Sequence, residues 1–205
     1  MTSLTKRLAV FASGRGSNAA ALYEAMKAGE INGQVVVVVS DHSDAKVLER
    51  AAEWGVPAVV VERKGFSSKD EFEQAMLDAI APYTPDAIVL AGYMRLLGPT
   101  FITPYENKIL SIHPALLPSF PGLHAQRQAV EAGVKVSGCT VHFVDTGMDS
   151  GPIIMQAVVP VFANDTEDTL AERILPEEHK TYKKALALFC DDKLVIKDHI
   201  VHIKD

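Results

Sequence analysis

The sequence predicts an α/β fold with a doubly wound, mostly parallel sheet, followed by antiparallel C-terminal strands. Strand patterns and helix patterns alternate along the first hundred residues, which is typical of parallel strands joined by helical crossovers. The valine-rich segment at residues 35–40 is apolar on both faces and therefore suits the inside of a sheet. In the last third of the chain, short strand patterns separated by turns indicate antiparallel pairing.

The first half contains short apolar runs, which predict strands, and apolar residues three or four positions apart, which predict helices. Ser68 followed by Glu71 forms a capping-box pattern at the start of the third helix, whose buried stripe should include Phe72, Met76, Leu77 and Ile80. In chain order we expect a strand at 8–12, a helix at 17–28, a strand at 35–40, a helix at 45–54, a strand at 58–61, the helix opened by Ser68, and a strand at 87–91.

The second half begins with a short strand at 109–112 and a segment, residues 113–122, whose three prolines and one glycine exclude a regular helix or a central strand. A long helix pattern near the C-terminus contains Pro176, so we expect a kink or break there. The other elements are a helix at 123–132, strands at 138–144 and 153–161, a loop at 145–151, the long helix at 166–189, and a hairpin formed by 194–196 and 200–203.

Composition limits the possible classes of protein. The chain has 205 residues, of which 48% are hydrophobic and 22% charged, as in a globular protein. No apolar stretch is long enough for a membrane span, so we expect no membrane partner. The net charge of −6 and the lack of a basic run argue against nucleic acid. Two cysteines outside any metal-ligand pattern indicate neither a disulfide framework nor a zinc site, and a reducing cytoplasm is the simplest compartment.

A glycine-rich turn at residues 14–19 follows the first strand. Its glycines allow a tight turn, and the helix that follows presents free N–H groups and the positive end of its dipole, which together favour phosphate binding. The turn also fits a dinucleotide fingerprint, with Asp41 as the ribose-binding acid of an NAD-dependent oxidoreductase. A plain strand-to-helix turn, capped by Ser17 or Asn18, is the structural alternative.

Ser111 and His113 lie two positions apart and therefore on one face of a strand end, where a histidine is well placed for catalysis. Asp149, in a glycine-rich loop, is the second candidate, whereas Asp145 suits a solvated turn. The structural alternative for His113 is a packed histidine bonded to a carbonyl, and for Asp149 it is a solvated turn. A metal site built from His113, His142 and Asp149 is conceivable, but nothing in the spacing singles it out, and we expect no metal.

Together these motifs carry a family resemblance. The segments are residues 13–18, 91–97, 112–118, 121–122 and 149–152, in that order along the chain. The chain resembles the phosphoribosylglycinamide formyltransferases, folate-dependent enzymes of purine synthesis, from residue 8 to about residue 182. The resemblance implies a Rossmann-like formyltransferase fold in a cytoplasmic monomer or homodimer. It also implies transfer of a formyl group from 10-formyltetrahydrofolate to glycinamide ribonucleotide, without a metal. We expect one domain over 1–205, with 1–100 as the ribonucleotide phosphate-binding half and 101–205 as the catalytic and folate-binding half.

The resemblance also implies the role of each site residue. The catalytic residues would be His113 and Asp149, with Ser111 beside them. The ribonucleotide would contact Gly16, Ser17, Asn18 and Glu178, and the folate would contact Lys69, Met94, Arg95, Leu96 and Leu97.

Ser111 departs from the pattern, because the family typically has asparagine there, donating to the formyl oxygen. A serine hydroxyl is also a donor, but it is shorter and rotates freely. One alternative is therefore a homologue with weakened or lost catalysis that still binds both ligands. A formyltetrahydrofolate hydrolase is another, although that branch usually has an additional N-terminal domain. Methionyl-tRNA formyltransferase is also related, but it would need an RNA-binding domain and a basic surface, and we expect neither in this acidic chain of 205 residues.

Overall fold

In the computed structural model, which describes residues 4–204, seven strands form one sheet in the order β3-β2-β1-β4-β5-β6-β7. Neighbours from β3 to β5 pair in parallel, whereas β5 with β6 and β6 with β7 pair antiparallel. The strands are β1 (Lys6–Phe11), β2 (Gly33–Ser40), β3 (Ala58–Val60), β4 (Ala87–Leu90), β5 (Ile109–His113), β6 (Val136–Phe143) and β7 (Ile153–Pro160), and a separate hairpin is formed by β8 (Leu194–Lys197) and β9 (Ile200–Ile203).

Helices connect the parallel strands and cover the sheet. Their bounds are α1 (Ser17–Lys27), α2 (Lys46–Trp54), α3 (Lys69–Ile80), α4 (Pro99–Ile102), α5 (Ala125–Glu131) and α6 (Glu167–Cys190). Within residues 4–204, no helix has both the length and the apolar character that a membrane crossing requires. The doubly wound, mostly parallel sheet and the antiparallel C-terminal strands are thus confirmed.

Burial on both faces of the sheet explains the strand pattern. Along β1, Leu8 and Val10 join one core cluster, and Phe11 joins the cluster on the opposite face. The predicted interior strand is β2, which lies between β1 and β3. From α6, the fully buried Tyr182 hydroxyl lies 3.0 Å from the Leu90 carbonyl and 2.9 Å from the Leu110 carbonyl, and so fixes α6 against β4 and β5.

Two details differ from expectation. Of the kink or break predicted at Pro176, the break is wrong, because α6 continues through it, and the kink stays a prediction. Proline removes one backbone hydrogen bond, but Ile174 and Glu178 on either side are buried, and this packing holds the helix together. On α3, Glu73 is buried, whereas Leu77 is only half-buried. The Glu73 carboxylate accepts hydrogen bonds from the N–H groups at the start of α4.

Candidate active site

His113 is the last residue of β5, and its side chain is buried. Its Nε2 lies 2.7 Å from the Phe120 carbonyl oxygen. A carbonyl can only accept, so Nε2 carries the hydrogen and donates it. The other ring nitrogen, Nδ1, lies 3.4 Å from Oδ2 of Asp149. The predicted neighbours are thus brought together, with the ring held from one side by backbone and faced on the other by a carboxylate.

Asp149 lies in the loop between β6 and β7, in the left-handed backbone region with φ of 50°. Aspartate adopts this region more readily than most residues. Its Oδ2 accepts a hydrogen bond from Gly122 N–H at 2.8 Å, which fixes the carboxylate toward His113. Asp145, in contrast, accepts from Gly147 N–H at 3.0 Å and from the Ser150 hydroxyl at 2.7 Å. It organises the turn, in agreement with its predicted turn role.

The arrangement determines what His113 can do. With Nε2 already donating to a carbonyl, Nδ1 is the nitrogen that gains or loses a proton. A carboxylate 3.4 Å away stabilises a positive charge on the ring. The pair can therefore stabilise a developing negative charge or carry a proton, which are the tasks of acyl-group transfer.

His142, on β6, is a third buried polar group at this site. Its Nδ1 lies 2.9 Å from the Phe143 carbonyl, so Nδ1 donates, and Nε2 is a buried acceptor without a hydrogen bond in the described structure. Burial lowers the pKa of His142, chiefly by disfavouring the charged ring. Nε2 lies 3.8 Å from Oδ1 of Asp149, which is too far for a hydrogen bond. His142 is therefore neutral beside the catalytic candidate.

Glycine is needed at position 151, two residues after Asp149, because the loop passes very close to β6 there. A Cβ atom built there would lie 1.7 Å from the Phe143 carbonyl oxygen, so only glycine permits this approach of the loop to β6. That carbonyl is the one that accepts from His142. The Phe143 carbonyl oxygen therefore has two effects: it leaves no room for a side chain at Gly151, and it keeps the proton of His142 on Nδ1.

Ser111 pairs directly with His142 across the antiparallel ladder of β5 and β6, and His113 pairs with Thr140. Residues directly opposite each other share a face of the sheet, so the four side chains belong to one polar strip. Ser111 is half-buried, and its hydroxyl makes no hydrogen bond within residues 4–204. The hydroxyl is available as a donor to a ligand.

The conceivable metal site combined two residues of this strip, His113 and His142, with Asp149 from the following loop. Among the described residues, no group of three or more His, Cys, Asp or Glu side chains has an arrangement that could hold a metal ion. One ring nitrogen of His113 and one of His142 already donate to backbone carbonyls.

The glycine-rich turn begins α1. Gly16 is the N-cap, with φ of 68°, and no side chain caps the helix, so the predicted alternative of a cap by Ser17 or Asn18 is wrong. A Cβ at Gly16 would lie 2.7 Å from Cγ2 of Val47, so any other residue would have to displace that side chain as well as adopt a left-handed conformation. The uncapped first turn leaves backbone N–H groups that suit an anion.

Asn18 and Glu178 meet beneath this turn. Nδ2 of Asn18 donates to Oε2 of Glu178 at 3.1 Å, and both side chains are buried. Burial raises the pKa of Glu178, and the hydrogen bond from Asn18 lowers it by less. Oδ1 of Asn18 is a buried acceptor without a partner in the described structure. The structure thus joins two of the predicted ribonucleotide residues from α1 and α6.

The predicted folate segment follows β4. Met94 and Leu96 are 63% and 47% exposed, whereas Leu97 is 2% exposed and packs in the core, so its side chain is not available to line a pocket. Arg95 donates from Nε to Asp41 at 2.6 Å. Because the Asp41 carboxylate is buried and engaged, it is not free to bind a ribose, and the NAD interpretation loses its acidic residue.

Lys69 opens α3, and its Nζ lies 3.7 Å from the Glu73 carboxylate. The lysine side chain is 47% exposed, so its ammonium group is accessible. No contact within the described residues joins Lys69 to the pair of His113 and Asp149. Its place in the site depends on a ligand long enough to reach both.

Comparison with known proteins identifies related chains. The formyl transferase family matches residues 6–186. The phosphoribosylglycinamide formyltransferase of Escherichia coli (strain K12) is 41% identical over 192 residues, which is 94% of this chain and 91% of that protein. The crystal structure of glycinamide ribonucleotide transformylase 1 from Symbiobacterium toebii superposes with a TM-score of 0.96 at 48% identity, covering 98% of this chain and 95% of that one.

A formyltetrahydrofolate deformylase from Pseudomonas syringae shares the fold at greater distance. Its TM-score is 0.91 and its identity 26%, covering 98% of this chain and 66% of that one. The sequence identity therefore favours the ribonucleotide branch over the hydrolase.

Proposed function

Because the chain belongs to the formyl transferase family, we propose that His113 and Asp149 are its catalytic pair, with Ser111 as a hydrogen-bond donor beside them. The chain transfers the formyl group of 10-formyltetrahydrofolate to the amine of glycinamide ribonucleotide, a step of purine biosynthesis. The single observation that carries the catalytic assignment is the contact of His113 Nδ1 with Asp149 Oδ2, while Nε2 donates to backbone.

The chemistry requires stabilisation of charge and transfer of a proton. When bound, the folate supplies the formyl group, whose oxygen gains negative charge as the substrate amine adds to its carbon. A cationic His113 stabilises that charge, and Asp149 stabilises the cationic ring. The cationic ring can give its Nδ1 proton to the departing folate nitrogen and then, as the neutral ring, accept the proton that the substrate amine loses, which restores the cation.

The glycine-rich turn and α6 supply the proposed ribonucleotide site. The N–H groups of the uncapped turn at Gly16, Ser17 and Asn18 suit the phosphate. The unpartnered Oδ1 of Asn18 and the carboxyl group of Glu178 are buried acceptors that suit hydroxyl or amine donors of the substrate.

The segment after β4 supplies part of the proposed folate site. Met94 and Leu96 expose apolar surface beside the site, which suits an aromatic ring system. Because the Leu97 side chain is buried, this residue would contribute only backbone groups to the folate site. Lys69 and Arg95 offer positive charges for the carboxylates of the folate tail. Since these residues precede residue 101, the proposed folate site extends beyond the C-terminal half to which we first assigned it.

We further propose that the chain is a single domain that works in the cytoplasm, as a monomer or homodimer, without nucleic acid. Strands from both halves join one sheet, which supports a single domain. Cys139 and Cys190 are buried and form no disulfide, as suits a reducing compartment. The net charge of −6 disfavours a nucleic-acid partner.

The direct test is an assay of folate product release by the purified chain, with and without glycinamide ribonucleotide. Release that depends on the ribonucleotide supports the transferase. Release at the same rate without it would instead indicate hydrolysis of the formyl folate. Binding of both ligands without release would indicate an inactive homologue.

A further inference from the structure

Asp41 lies at the carboxyl end of β2, outside the catalytic pair, and its side chain is fully buried. Its Oδ2 accepts a hydrogen bond from Arg95 Nε at 2.6 Å, and its Oδ1 lies 2.9 Å from His42 Nδ1. Burial alone would raise the pKa of Asp41, but hydrogen bonds from Ser13, His42 and Arg95 lower it overall. Asp41 is therefore a charged carboxylate in the interior at neutral pH.

A second connection leads from Asp41 to the backbone of Met94. The Ser13 hydroxyl donates to the Asp41 carboxylate and accepts from Met94 N–H, which lies 3.0 Å from Ser13 Oγ. Ser13 N–H in turn donates to the Gly92 carbonyl at 3.1 Å. Asp41 thus holds Arg95 directly and Met94 through one hydroxyl group.

These contacts matter because residues 94–97 form no helix or strand. A loop without backbone ladder bonds depends on side-chain anchors for its conformation. Asp41 supplies two such anchors from the end of β2, which β1 separates from β4 in the sheet, and its hydrogen bond to the guanidinium is charge-assisted and therefore strong. Ser13 also directly precedes the glycine-rich turn, so the cluster joins the loops after β1, β2 and β4.

We infer that Asp41 is a positioning residue that holds residues 94–97 in the conformation that receives the folate. The inference rests on the proposed folate role of this segment. None of Asp41's contacts within residues 4–204 reaches His113 or Asp149. Replacing Asp41 should therefore weaken folate binding and leave the catalytic step nearly unchanged.

The test compares Asp41→Asn with Asp165→Asn. Asp165 is a matched control, because it also accepts from an arginine, Arg173, at 2.7 Å through each oxygen, but away from the site. Asp41→Asn should raise KM for 10-formyltetrahydrofolate by roughly tenfold or more, since asparagine can accept from Arg95 but lacks the charge that strengthens this hydrogen bond, with kcat and the ribonucleotide KM nearly unchanged. Asp165→Asn should leave all three constants near wild type.

Titration calorimetry with tetrahydrofolate on the same variants gives Kd without any need for turnover. A wild-type chain that binds tetrahydrofolate but does not transfer to the ribonucleotide would contradict the proposed function, while the Kd comparison still tests Asp41. Equal Kd and KM values in wild type and Asp41→Asn would overturn the inference. If Asp41→Asn does not fold, Ser13→Ala removes only the link to Met94 and should raise Kd less; an unchanged Kd in that variant would also overturn the inference.

Discussion

Asn18 and Glu178 are 160 positions apart in the sequence, yet Nδ2 of the first donates to Oε2 of the second at 3.1 Å. The bond joins the first turn of α1 to the middle of α6 and places a carboxyl group in the interior, below the glycine-rich turn. Such a group is costly to ionise when buried, and a buried ionisable group beside the proposed phosphate site is a candidate for substrate binding.

Replacing Glu178 with glutamine should change stability in a pH-dependent way. The folded-state pKa of Glu178 is raised by burial, so the folded chain retains a proton that the unfolded chain releases as pH rises above the ordinary value of 4.5. The unfolding free energy contributed by this group therefore falls as pH rises through that window. Glutamine keeps the acceptor for Asn18 but cannot ionise.

Thermal unfolding checks this prediction. The unfolding free energy of Glu178→Gln minus that of wild type should be larger at neutral pH than at acidic pH. The KM of the variant for the ribonucleotide should rise. Glu177→Gln, at a partly exposed neighbour paired with Lys180, is the control and should show neither effect. A stability difference that does not vary with pH would contradict the predicted ionisation.

Replacing Asp149 with asparagine should reduce kcat by about 10²–10⁴-fold, because the positive charge on His113 loses its stabilising partner. Ribonucleotide affinity should stay near wild type, since Asp149 does not contact the glycine-rich turn within the described residues. Asp145→Asn is the matched control in the same loop, where only turn hydrogen bonds change. Steady-state kinetics with both ligands measure kcat and the ribonucleotide KM of each variant. Activity retained in Asp149→Asn would remove this carboxylate from the mechanism.

Ser111 can be tested from two directions. Its unpartnered hydroxyl is free to donate to the formyl oxygen, so Ser111→Ala should lower kcat by roughly 10²–10³-fold, the usual effect of losing such a donor. Ser111→Asn, which restores the family residue, should change kcat by less than about tenfold, because a donor is already present. A rise of about 10²-fold or more in Ser111→Asn would mean that the natural site is impaired.

Replacing Gly16 with alanine should destabilise the chain. A left-handed conformation costs a non-glycine residue about 1–2 kcal/mol, and the new methyl group would also press against Val47. Gly14→Ala is the control in the same turn, because a Cβ there meets nothing within 4 Å. Chemical denaturation should therefore show a lower unfolding free energy for Gly16→Ala and little change for Gly14→Ala; equal values would contradict the packing argument.

Much of the fold could be predicted because burial on both faces of the sheet appears in the sequence as apolar runs, of which β2 is the clearest example. The absence of a break at Pro176 has a physical reason, since local propensity could not anticipate the packing of α6 on both sides of it. Glu73 was missed because its partners are backbone N–H groups 25 and 28 positions away.

The candidate site could likewise be predicted only in part. His113 and Asp149 could be paired from their motifs, but the Phe120 carbonyl and Gly122 N–H that hold them could not, because backbone groups have no sequence signature. For Asp41 the sequence offers only the alternative of a ribose-binding acid, because its position after the second strand is all that local sequence reveals. Its actual partner, Arg95, lies 54 positions away.

The most direct test of the central claim follows the formyl carbon itself. The wild-type chain is incubated with glycinamide ribonucleotide and 10-formyltetrahydrofolate labelled with a carbon isotope in the formyl group, and the products are resolved by mass spectrometry. We predict that the label appears in the formylated ribonucleotide, in equal amount to the tetrahydrofolate released, and that Asp149→Asn slows its appearance. Label recovered as free formate, with the ribonucleotide unmodified, would contradict formyl transfer by this chain.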